Sequence, residues 1–86
     1  ERAEIERALT EPVGRNDKEA AAFLVDAGFS RPESTEAVNL AVLEEGGAGT
    51  LWQVVQGLTA MARRKTHVDE RVALERRAGK LLDLVQ

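Results

Sequence analysis

The 86-residue chain has no cysteine and no tyrosine, two prolines, and an aromatic content of 3%. Without cysteine it holds neither a disulfide framework nor a thiolate metal site, and it reads as a protein of a reducing compartment. It has no apolar run near the ~18 residues that cross a bilayer, and no cleavable signal pattern. A soluble, cytoplasmic protein without a membrane partner is therefore expected. Strand-forming residues are thin, whereas Ala, Leu, Glu and Arg abound, a composition that favours an all-α fold. The chain begins at Glu1 rather than Met, which reads as a processed or excised piece of a longer protein.

What is present fits one helical domain over 1–86. A domain of this size buries roughly 60–65% of its unfolded surface, so it has to pack well or find a partner. Charge is unevenly divided. Residues 1–48 carry 11 acidic and 5 basic side chains, and residues 49–86 carry 4 acidic and 7 basic. The basic half, 50–86, either faces an anionic partner or attracts the acidic half of its own chain. A glycine-rich hinge at 46–49 separates the two.

Helix starts are marked by a capping side chain followed three residues later by Glu or Gln, a pair that satisfies two orphan amides reciprocally. Asn16 with Glu19, Ser30 with Glu33, and Thr50 with Gln53 fit; Thr66 with Asp69 fits less well. Gly28 follows one helix and Gly46, Gly47 and Gly49 follow another, each suited to a left-handed cap or a loop. These signals predict helices over 2–11, 17–27, 31–45, 51–65 and 67–85, a bundle of four to five short helices; a break near Lys65–His67 is favoured, with one long helix as the alternative, since no Gly or Pro interrupts 58–78. Helical spacing predicts a core of Phe23, Leu24, Leu40, Ala41, Val54, Val55, Leu58, Leu74, Leu81 and Leu82, with Trp52 partly buried.

No catalytic constellation emerges. His67, the single histidine, lies beside Thr66 and Asp69 but has no nucleophile to serve. The pairs Glu44–Glu45 and Asp69–Glu70 are sequence neighbours, which do not share a helix face, so no metal site is expected. The glycines at 46, 47 and 49 precede a helix but lack the Lys-Ser/Thr of a phosphate loop. No cofactor and no enzymatic activity are expected.

Two other classes remain. In the first, apolar and small residues of the last two helices dock a protein partner or a second copy. The expected interface residues are Trp52, Leu58, Met61, Ala78, Leu81 and Val85. Gly57 and Ala60, and Ala78 and Gly79, mark places where the last two helices pack closely, within the molecule or across a dimer. The alternative is nucleic-acid binding through Arg63, Arg64, Lys65, Arg71, Arg76, Arg77 and Lys80, since phosphate binding needs several cations in one field. Glu70, Glu75 and Asp83 dilute that patch.

The run Gly49-Thr50-Leu51-Trp52, three residues, then Gln56-Gly57-Leu58-Thr59 resembles the C-terminal region of a phage/plasmid-like protein family of unknown function. Gly49, Thr50, Trp52, Leu58 and Thr59 match that family's motif. Gln56 and Gly57 stand where it has Asn and Ala, and its His shortly after the Thr is missing unless His67 serves. The resemblance covers about 35 residues. It implies a mobile-element context and kinship with single-strand annealing proteins, and brings no catalytic residues. The fuller expectation is a non-enzymatic helical interaction or oligomerisation module within a larger or mobile-element protein.

Overall fold

In a computed structural model, which describes residues 2–84 apart from the side chains of Arg2, Ile5, Leu82 and Leu84, the chain forms α1 (Arg2–Leu9), α2 (Asp17–Asp26), α3 (Arg31–Glu45), α4 (Leu51–Arg63), α5 (Val68–Gly79) and a single turn, α6 (Leu81–Leu84). The fold is all-α, and no strand is present among the described residues. None of its described helices is long and apolar enough to cross a membrane.

The caps form largely as their spacing predicts. The Ser30 and Thr50 hydroxyls accept from the Glu33 and Gln53 amides, each at 3.2 Å, and both side chains reach back to complete the box. At α2 only half of the box closes. Asn16 Oδ1 accepts from the Glu19 amide at 2.9 Å, but the Glu19 carboxylate turns to the amide and guanidinium of Arg15. That pairing holds the exposed Glu19 carboxyl below its ordinary range. Thr66 does not cap α5. The N-cap is His67, one residue later, and it makes no side-chain cap bond. Replacing Thr50 with alanine is expected to cost about 1 kcal/mol, the usual worth of an N-cap oxygen. A lower urea midpoint at unchanged slope would register it.

Two predicted helices are shorter than expected. The first stops at Leu9, because Pro12 pushes the residue before it out of helical conformation. Glu11–Val13 instead runs antiparallel to the segment before α4: the Leu51 amide donates to the Glu11 carbonyl at 2.9 Å, and the Val13 amide to the Gly49 carbonyl at 3.0 Å. The predicted helix over 67–85 divides at Lys80, just after the exposed, weakly helix-forming Gly79. The break between the last two long helices is present at 64–67.

The segment expected to act as a hinge is braced. Gln53 Oε1 accepts from the Gly49 and Thr50 amides, Gln53 Nε2 donates to the Glu45 carbonyl, and Ala48 is buried. Gly46, at φ +79°, takes the left-handed cap that ends α3.

α4 is the centre of the bundle and packs against α1, α3, α5 and α6, while α2 covers another part of α3. The core holds Leu24, Leu40, Ala41, Val54, Leu58, Leu74 and Leu81 as predicted, with Phe23 and Val55 partly buried against it. Leu82, also expected there, lies outside the described side chains. Leu51, Met61, Phe29 and a set of alanines complete the core. α4 packs against α5, with Ala60 and Ala78 buried, but Gly57 serves the approach of α4 to α3. A Cβ at Gly57 would stand 3.0 Å from the Ala37 carbonyl carbon and 3.1 Å from Ala41 Cβ, whereas Gly79 faces open space.

Candidate interaction surface

The α2–α3 connection is built so that one arginine can lock it. α2 ends in a Schellman turn: the Gly28 amide donates to the Val25 carbonyl and the Phe29 amide to the Leu24 carbonyl, each at 3.0 Å, with Gly28 at φ +105°. This turn sends Phe29 into the core, where Leu24 also lies. Ser30 then starts α3 and orients Glu33. From α5, the Arg77 guanidinium forms a two-pronged pair with the Glu33 carboxylate at 3.1 and 3.2 Å, donates to the Gly28 carbonyl at 3.1 Å, and stacks 4.5 Å from the Phe29 ring centroid. The Arg77 bonds hold the Glu33 carboxyl below its ordinary range against the opposing effect of partial burial, and the Ser30 amide adds to the lowering.

Arg77 is therefore a clamp between α5 and the α2–α3 corner, and most of its charge is spent inside the chain. Arg63 is also engaged, 3.6 Å from Glu44. The other predicted cations, Arg64, Lys65, Arg71, Arg76 and Lys80, are exposed and make no ion pair among the described residues. They do not form one uninterrupted field, since Asp69, Glu70, Glu75 and Asp83 are exposed among them.

The predicted protein-interface residues separate in the same way. Leu58, Met61, Ala78 and Leu81 are buried in the chain's own core. Leu58 and Met61 point inward from α4, and Ala78 and Leu81 point inward from α5 and α6, so none is at the surface of the folded chain. Trp52 is 45% exposed, on the opposite side of α4. Val85 lies outside the described residues.

The exposed large apolar residues are spread over α2 (Val25), α3 (Val42 and Leu43), α4 (Trp52) and α5 (Val68 and Val72), and Leu43 protrudes most. Leu43 is 78% exposed and Val42 half-exposed, near the end of α3. Leu43 stands at one end of an open groove of about 570 Å³, lined along α3 by Arg31, Pro32, Thr35, Glu36, Asn39 and Leu40 and bounded by Arg64 from the end of α4. At 3.6 residues per turn these α3 positions lie opposite the buried Ser34, Ala37, Val38 and Ala41. Sequence reasoning missed this face because a lone Leu among polar residues has no apolar period. It missed the Phe29 corner as well, although an apolar residue after a helix-ending Gly is the usual signal of a Schellman turn.

Four of the five matched residues of the Gly49–Thr59 motif have a structural task. Gly49 and Thr50 bond Gln53, Leu58 is buried, and Thr59 Oγ1 donates to the Val55 carbonyl at 3.0 Å. Trp52 is the exposed side chain among them. No cluster of three or more His, Asp or Glu is placed to hold a metal among the described residues. Comparison with protein-family profiles, with curated proteins and with solved structures gives no match.

Proposed function

We propose that this chain is a non-enzymatic helical interaction module that docks protein through the outer face of α3. The observation that supports it is the pairing of a protruding leucine, Leu43, with an adjacent open groove on a helix whose other side is fully committed to the core. Isolated exposed apolar residues are ordinary; a projecting one beside a groove has the form of an anchor and its surround. A cytoplasmic setting and the mobile-element context implied by the Gly49–Thr59 resemblance belong to this proposal.

Nucleic-acid binding is the competing reading, supported by the five unpaired cations Arg64, Lys65, Arg71, Arg76 and Lys80. Two parallel experiments separate the readings. A photoreactive amino acid at position 43 is expected to give a defined protein adduct, and the same group at position 68 on α5 is expected to give none. Anisotropy of labelled single-stranded and duplex DNA at two salt concentrations is expected to show no specific uptake. Binding that falls steeply with salt and disappears on Arg76→Glu with Lys80→Glu would reverse the assignment. Arg77 is left intact in that test because its loss disturbs the fold.

A further inference from the structure

Resting on the interaction-module reading, we infer that the occupant of the α3 groove is a second copy of this chain, paired antiparallel through α3 about a two-fold axis. A two-fold interface has to be self-complementary, with both halves of every contact on one patch. The outer face of α3 meets that condition. It carries a knob, Leu43, and a groove along the same helix.

The register follows from residue positions. An axis beside position 37 sets Pro32 against Val42 of the second copy and Thr35 against Asn39, with each contact repeated by symmetry. The aliphatic stem of Arg31 then covers Leu43 of the second copy. Glu36 lies nearest the axis, where it meets Glu36 of the second copy, and Arg64 lines the same groove with the charge that offsets their repulsion. The 15 residues of α3 extend about 22 Å, so the contact is one helix long on each side.

Charge favours this occupant and this direction. α3 holds Arg31 at its positive N-terminal end, while its last turn has Glu44 and Glu45 and no basic residue. Both placements oppose the helix dipole. Among the described residues Arg31 and Glu45 have no ion-pair partner, and Glu44 reaches only Arg63, at 3.6 Å. An antiparallel second α3 brings the cationic start of each helix beside the acidic, partially negative end of the other. A wholly acidic or wholly basic partner would satisfy only one of the two ends.

Sedimentation equilibrium of the intact chain from about 5 to about 500 µM tests the inference. A monomer–dimer equilibrium is expected. Leu43→Asp should leave monomer throughout, and Arg31→Glu should weaken pairing roughly tenfold. Val68→Asp, which alters the other strongly exposed apolar residue, 71% accessible on α5, should leave pairing unchanged. Both residues at 43 and 68 are exposed, so these variants should keep their circular dichroism melts. Glu36→Cys in this cysteine-free chain should oxidise to a covalent dimer, as a position beside the axis requires. A chain that is monomeric at the highest concentration, or a dimer that survives Leu43→Asp, overturns self-pairing. A monomer that still gives a position-43 protein adduct overturns only this inference; loss of that adduct as well removes the interaction-module reading.

Discussion

Gly57→Ala should lower the stability of this domain, although alanine is the better helix former. The substitution gains about 1 kcal/mol of helix propensity. Against that, the new methyl group would enter the contact between α4 and the Ala37 peptide of α3, 3.0 Å from its carbonyl carbon and closer still to its oxygen. The obstacle is backbone inside a helix, so it cannot rotate away, and Ala41 Cβ blocks a second direction at 3.1 Å. Overpacking of this kind costs about 1–3 kcal/mol and occasionally more, and the rigid neighbour puts this site at the upper end. A net loss of about 2 kcal/mol corresponds to a fall in Tm on the order of 10 °C for a domain of this length. Gly57→Val should go further and leave little folded protein. Gly79→Ala is the matched control: it faces open space on α5 and should gain about 0.5–1 kcal/mol. Opposite signs for these two alanines in one thermal series would establish the α3–α4 approach. Equal stabilisation would mean that the two helices stand farther apart.

Arg77→Ala should give the next largest effect, and one that depends on pH. The variant loses a two-pronged ion pair to Glu33, a bond to the Gly28 carbonyl and the stack on Phe29. The side chains of Arg77 and Glu33 are 40% and 32% exposed, so solvent screens the pair, and its share is at most ~1 kcal/mol. Stacking and the remaining bond bring the total to about 1–2 kcal/mol at neutral pH. Glu33 has a lower pKa in the folded chain than in the unfolded chain. Its contribution is therefore complete above the ordinary carboxylate pKa and is lost as pH falls through the lower, folded value. The stability gap between wild type and Arg77→Ala should hold from pH 7 down to about pH 5 and narrow below it, to the part owed to Phe29 and Gly28. Urea titrations at pH 7 and pH 3 measure both gaps. A gap of constant width would show that Arg77 acts through Phe29 and Gly28 without Glu33.

Arg77 also shows how a charge reading from sequence goes astray. Counted along the chain, it belongs to a basic cluster with Arg76 and Lys80. Folded, it faces inward to a carboxylate 44 residues away and leaves its neighbours outside. The charge split between the two halves is thus partly an internal attraction, carried by Arg77–Glu33 and Arg63–Glu44. Leu58, Met61, Ala78 and Leu81 illustrate the same problem for apolar faces. Periodicity identified α4 and α5 as amphipathic, but burial by the chain itself and burial by a partner leave the same pattern.

Local chemistry therefore determined a definite part of this protein. The all-α class, the starts of α2, α3 and α4, the glycine stops and most of the core follow from side chains acting over three or four residues, which is the range of a cap or a helical period. Tertiary structure decided the rest. It assigned Gly57 to α3 rather than α5, turned Arg77 into a clamp, braced the loop before α4 against Glu11–Val13, and left Leu43 outside. Each of those outcomes depends on which helices meet, and that is set by non-directional burial of apolar surface summed over the whole chain.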